Sequence, residues 1–140
     1  MLDTSTLIML TRLEDASILP AEPLITAVTL AELSVGPAVA STDQERAARQ
    51  EHVQQAEADF EPLPFDRQAA RTFGRVAASL HRAGRKTKAR AYDAMIAATA
   101  LAHDLPVYTC NPDDFVGIDG LEVVPVPVPT HPEIQGDSGN

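Results

Sequence analysis

Short apolar runs alternate with longer stretches of helical periodicity along this chain. Leu24-Ile25-Thr26-Ala27-Val28, Leu105-Pro106-Val107-Tyr108-Thr109 and Leu121-Glu122-Val123-Val124 are too short for core helices and read as buried strands. Between them lie segments with one apolar side, such as Ala69, Phe73, Val76, Ala77 and Leu80 after a capping Asp66. A strand that is apolar on both sides must be covered on both faces, and helical crossovers make neighbouring strands parallel. The pattern predicts an α/β fold. It is a single domain with a parallel sheet of about four to five strands, flanked by helices on both faces.

Local signals refine this. Met1-Leu2-Asp3 is a brief apolar entry into a polar turn, where Thr4 or Ser5 can cap a helix through Leu7, Ile8, Leu10 and Thr11. Thr29-Leu30-Ala31-Glu32 fits a capping box opening a helix that Gly36-Pro37 interrupts or ends. Thr42-Asp43-Gln44-Glu45 fits a second, opening a polar helix to about Asp59. Phe60 to Pro64 reads as a short extended piece, and an Ala-rich helix runs from Asp93 to His103. The domain is expected over residues 1–125, followed by a flexible Pro-rich tail over 126–140. The single cysteine, Cys110, allows no internal disulfide. With no apolar run near the ~20 residues of a membrane span and no secretion leader, a cytoplasmic protein without membrane contact is expected.

Charge narrows the partners. The chain carries 11 Lys and Arg against 20 Asp and Glu, a formal charge of −9. That balance disfavours nucleic-acid binding by broad electrostatic coating. The basic residues are clustered, however, with Arg82, Arg85, Lys86, Lys88 and Arg90 in one short stretch.

In an open parallel sheet, ligands sit at the carboxyl ends of the strands. Asp3 follows the first strand, Glu32 stands on the first turn after the second, and Asp93 begins the Ala-rich helix. Asn111, Asp113 and Asp114 follow the strand ending at Thr109. Four segments therefore deliver carboxylates or an amide to one edge. At ~5 Å and an effective dielectric near 20, each like-charged pair costs about 3 kcal/mol. One acid takes up a proton, or a divalent cation binds. Oxygen ligands without His or Cys favour Mg²⁺ or Mn²⁺ over zinc, and such an ion supports phosphodiester hydrolysis. Each acid also has an ordinary structural reading. Asp3 can cap a helix, Glu32 can complete its capping box, and Asp93, Asp113 and Asp114 can be first-turn acids near a helix dipole. Coincidence in all four segments is a weaker explanation than coincidence in any one.

These residues also carry a resemblance. Leu2-Asp3-Thr4-Ser5, Val28-Thr29-Leu30-Ala31-Glu32-Leu33, Tyr92-Asp93-Ala94-Met95-Ile96-Ala97-Ala98-Thr99-Ala100 and Leu105 to Phe115 resemble, in order, the motif blocks of the PIN-domain family. The chain is most similar to the VapC-type ribonuclease toxins of type II toxin–antitoxin systems, over about residues 1 to 125. The resemblance implies an Mg²⁺- or Mn²⁺-dependent endoribonuclease that cuts tRNA or ribosomal RNA, leaving a 5′-phosphate and a 3′-hydroxyl. It implies Asp3, Glu32 and Asp93 as acidic metal ligands, and a fourth position among Asn111, Asp113 and Asp114, with Asp114 before the Phe as in some members. It implies that Thr4, Ser5 and Thr109 orient ligands or bound water. A cognate VapB-like antitoxin, an RNA substrate and a homodimer are the partners it implies. In one departure, only two residues precede Asp3, so either the first strand is very short or residues ahead of it are omitted.

The basic stretch from Arg82 to Arg90 is the expected RNA-phosphate contact, with Arg90, three residues before Asp93, the best placed. Its ordinary reading is a solvated loop balancing nearby acids. His52 and His103 read as surface or packing residues, His81 borders the basic loop, and His131 lies in the tail. Cys110 reads as a small buried residue with no base to activate it. Two other classes stay in view. An aspartyl-nucleophile phosphatase typically needs a second Asp two residues after the first, where Ser5 stands. The other is a catalytically weak module that binds RNA or a protein. Retention of Asp3, Glu32 and Asp93 argues against it, and Asn111 leaves room for it.

Overall fold

The computed structural model describes residues 1–13 and 15–128. Five α-helices are present among them: α1 (Thr4–Met9), α2 (Ala27–Ala38), α3 (Asp43–Asp59), α4 (Arg67–Arg82) and α5 (Ala91–Ala102). Two regular strands, β1 (Val107–Thr109) and β2 (Val123–Pro125), pair in parallel with Val107 opposite Val123. Leu2 joins Tyr108 and Thr26 joins Leu63 through isolated parallel bridges.

The expected sheet of four to five strands is thus reduced to two regular strands plus these bridges. The reason is local. Asp3 turns the chain into α1 by accepting from the Thr6 amide, and Thr26 turns it into α2 by accepting from the Thr29 amide. Each extended segment ends before a ladder can lengthen. Backbone hydrogen bonds still link the segments side by side. Leu63 donates to Ile25, Leu2 to Leu24, Tyr108 to Met1 and Val107 to Glu122, at 2.8 to 3.0 Å. The spatial order is therefore 63, 25, 2, 108, 124, with the N-terminal segment in the middle. The segments are parallel, and the order in which they are added reverses between Leu2 and Tyr108, the switch point at which open α/β sheets bind ligands.

The same caps correct two readings. Asp3, rather than Thr4 or Ser5, caps α1, and Thr26, rather than Thr29, caps α2. Leu24 to Val28 is split between an extended segment and the first turn of α2, which runs through Gly36-Pro37 to Ala38. Thr42 and Asp66 cap α3 and α4 as expected.

Alternate residues of the extended segments face opposite sides. Met1 and Val107 join a core with Val76, Leu80, Ile96, Phe115 and Ile118. Leu2 and Tyr108 face a second core with Leu7, Ile25, Leu33 and Val53. Helices therefore cover both faces. Helix α5 is buried nearly all round, with Ala94, Ile96, Ala97, Ala98 and Ala100 fully inaccessible. Its small side chains permit close packing, and its N-terminal turn, which carries Asp93, stays partly open to solvent. Pairing continues to Val126, whose amide donates to the Thr109 carbonyl. Residues 129–140 of the expected tail, His131 among them, lie outside the described residues. No described helix is long and apolar enough to cross a membrane.

Candidate active site

The carboxyl ends of the extended segments carry a network built around Asp3, which is 2 % exposed. Its side chain accepts from the Thr6 amide at 3.0 Å, from Ser5 Oγ at 3.0 Å and from Thr109 Oγ1 at 2.6 Å. Three donors on one carboxylate compensate its desolvation and fix its orientation. Thr109 Oγ1 in turn accepts from the Asn111 amide at 2.9 Å.

Glu32 stands on the second turn of α2 because the helix starts at Thr26 rather than Thr29. Thr4 Oγ1 donates to its Oε1 at 2.6 Å. Burial pushes the Glu32 carboxyl up, the Thr4 hydroxyl pulls it back, and the Asp3 charge pushes it up again. Asp93 lies in the first turn of α5, half-buried. Burial raises it to about 7, helped by the charges of Asp114, Glu32 and Asp3 and opposed by Arg90. Four segments distant in sequence therefore share one electrostatic neighbourhood.

The turn Pro112–Phe115 brings Asp114 into that neighbourhood. Asn111 and Asp113 are exposed and contribute no charge at Asp93. Among the described residues, no three Asp, Glu, His or Cys side chains close around one point as a ready-made ligand set. The donor chemistry nonetheless fits a hard divalent cation. It is made of oxygen atoms, and one of its acids, Asp93, is pushed towards protonation by burial and by its acidic neighbours.

Cys110 is half-buried, and its thiol is pushed up by burial. No thiolate nucleophile forms there near neutral pH. Of the basic stretch, Arg82 pairs with Asp119 at 2.7 Å, and Arg85 Nη2 donates to the Asp113 carbonyl at 3.1 Å. Arg90 Nη1 stands 3.4 Å from Asp114 Oδ1. Lys86 and Lys88 are exposed.

Thr4 and Glu32 also open onto a cleft of about 370 Å³ whose other walls include Ile8, Leu33, Arg49 and His52. Arg49 is held there by Glu45 and by the Gly36 carbonyl. The sequence pattern pointed to neither Arg49 nor His52, because their position depends on how α3 packs against α2. The nearest signal was Ile8, an apolar residue in α1 that stays 47 % exposed. His81 and His103 are exposed.

A family model described as the PIN domain matches residues 1–121. Among curated proteins, Ribonuclease VapC5 of Mycobacterium tuberculosis is 40% identical over 112 residues, covering 80% of each chain. Ribonuclease VapC1 of Rickettsia felis is 29% identical over 102 residues, covering 73% of this chain and 75% of that one. Among solved structures, VapBC-5 from Mycobacterium tuberculosis, a member of the VapBC family of toxin-antitoxin systems, aligns with a TM-score of 0.77 at 41% identity. The alignment covers 89% of this chain and 96% of that one. DNA-bound VapBC from Salmonella typhimurium aligns with a TM-score of 0.71 at 28% identity, covering 87% and 93%.

Proposed function

The chain belongs to the PIN-domain family and to its VapC type, and from that membership we propose that it is a toxin acting as a metal-dependent endoribonuclease on tRNA or ribosomal RNA. A VapB-like antitoxin holds it inactive in this reading, and a homodimer is its expected assembly. The observation that carries the reading is the convergence at the switch point of the sheet of Asp3 and Glu32, each held by hydroxyl donors, with Asp93 in the first turn of α5 and Asp114 close enough for their charges to act on one another.

Those four acids would hold one or two Mg²⁺ or Mn²⁺ ions. Such an ion, when bound, lowers the pKa of a coordinated water and offsets charge on a phosphate oxygen. The residues of the chain supply the rest. Thr109, Ser5 and the Thr6 amide lock Asp3 in one orientation, so little reorganisation is needed there. Thr4 does the same for Glu32 and favours its charged form. Asp93, raised to about 7 by burial and by its acidic neighbours, is shared between its protonated and charged forms near neutral pH, and its charged form would serve a cation. Lys86 and Lys88 offer point charges to RNA phosphates on the open side.

The test is to map the ends of RNA fragments made by the purified, antitoxin-free chain. The reading expects 5′-phosphate and 3′-hydroxyl ends, and cleavage suppressed by the cognate antitoxin. Fragments ending in 2′,3′-cyclic phosphates would contradict attack by water.

A further inference from the structure

The five basic residues between Arg82 and Arg90 divide into two groups. Three arginines bond along the protein surface to the segment 113–119, whereas Lys86 and Lys88 have no ion-pair partner among the described residues. We infer that Arg85 is a positioning residue for the fourth carboxylate, acting through the backbone of the Pro112–Phe115 turn rather than on RNA.

The Asp113 carbonyl belongs to the peptide plane that leads directly into Asp114, so a donor fixed on that oxygen sets the direction in which Asp114 leaves the chain. Arg85 Nη2 donates to it at 3.1 Å. The turn's own support is thin. It is a four-residue 3₁₀ segment without a side-chain cap, held internally by Asp114 N to Asn111 O at 3.0 Å and Val116 N to Asp113 O at 3.4 Å. Segments of this kind have poor hydrogen-bond geometry; buried Phe115 and the Thr109 hydroxyl on the Asn111 amide hold its two ends, and Arg85 holds the peptide between them. A guanidinium on a carbonyl is a charge-assisted bond, stronger than the amide bonds it supplements.

Packing holds the arginine in place. Gly117, at φ 92°, brings the backbone so close that a Cβ there would lie 3.0 Å from Ala83 Cβ and 3.4 Å from Arg85 Cδ. Arg82 to Asp119 closes the far end of the same contact. Arg90 adds a longer hold on Asp114 itself, at 3.4 Å. The basic loop and the acidic turn thus form one clasp, and the charges left for RNA are the two lysines.

The effect on metal and turnover rests on the ribonuclease reading, whereas the clasp itself does not. In the full chain, Arg85→Gln is expected to weaken Mn²⁺ binding, measured by titration calorimetry, roughly tenfold, the usual loss for a residue that orients a ligand. It should lower kcat with KM near that of the parent and speed amide exchange at Asp114 and Val116. Arg85→Lys should restore part of each loss. The double variant Lys86→Ala, Lys88→Ala should instead raise KM while binding Mn²⁺ as the parent does. If Arg85→Gln raises KM alone, with Mn²⁺ affinity and exchange unchanged, Arg85 is an RNA contact and the inference is overturned. If the parent binds no Mn²⁺, the ribonuclease reading fails and the exchange rates decide the clasp alone, unchanged exchange overturning it.

Discussion

Thr109 donates a 2.6 Å hydrogen bond to Oδ2 of Asp3, joining the carboxyl ends of two adjacent parallel segments that lie 106 residues apart in sequence. The bond crosses the switch point of the sheet and ties the deepest acid of the site to β1. Because the same hydroxyl accepts from the Asn111 amide, it also anchors the start of the turn that carries Asp114.

Thr109→Val keeps the shape of the side chain but leaves a 2 % exposed carboxylate short of a donor. It should destabilise the chain by about 1.5–3 kcal/mol, the usual range for a hydrogen bond to a charged group. Urea denaturation measures this. Thr109→Ser should recover most of the loss, and equal losses in the two variants would show that the hydroxyl does not matter.

Asp93 gives a pH dependence with a definite sign. Its folded carboxyl titrates at about 7 rather than 3.8, so the folded chain binds this proton more tightly than the unfolded chain does. Charging Asp93 therefore opposes folding. The penalty is absent below the unfolded value, grows as pH rises, and is complete above about 7. Asp93→Asn should stabilise the chain in EDTA at pH 8 by roughly 1–2 kcal/mol, discounted because the group is half exposed. Below pH 3.8 the gain should vanish. An equal gain at both pH values would contradict the assignment.

Thr4 tunes the neighbouring acid. Its hydroxyl favours charged Glu32 against burial and the Asp3 charge. Thr4→Val should therefore raise the Glu32 titration further, read directly from the Glu32 carboxyl by NMR in the metal-free chain. A Glu32 titration that does not move would assign Thr4 a packing role.

Cys110 is predicted to be chemically quiet. Burial pushes its thiol up, and the Asp3 charge adds to this. Alkylation near pH 7 should be slow, and Cys110→Ser should keep RNA cleavage within a few-fold of the parent. Loss of most cleavage would give the sulfur a role the geometry does not show.

Much of the site was legible because its acids follow punctuation that sequence shows well. Asp3 follows the first apolar residues, and Asp93 stands where an Ala-rich helix begins. The helix starts were harder. Thr26 and Thr29 are both good caps, and Thr26 prevails because the chain must end its pairing with Leu63 there. Strand lengths were overestimated for the same reason, as caps cut the apolar runs short. The tie between Arg85 and the Asp113 carbonyl was not legible, since a basic run reads the same whether it faces solvent or a neighbouring backbone. The cleft wall of Arg49 and His52 depends on packing between α2 and α3, which periodicity does not encode.

The central claim is that the four acids work together with a divalent cation on RNA. The most direct measurement is cleavage of total cellular RNA by the purified, antitoxin-free chain with Mg²⁺, with Mn²⁺ and with EDTA, alongside Asp93→Asn. The account predicts discrete fragments with either metal that disappear with EDTA and with the variant. Cleavage that persists in EDTA or in Asp93→Asn, or none from the well-folded parent across several RNA pools, would contradict it.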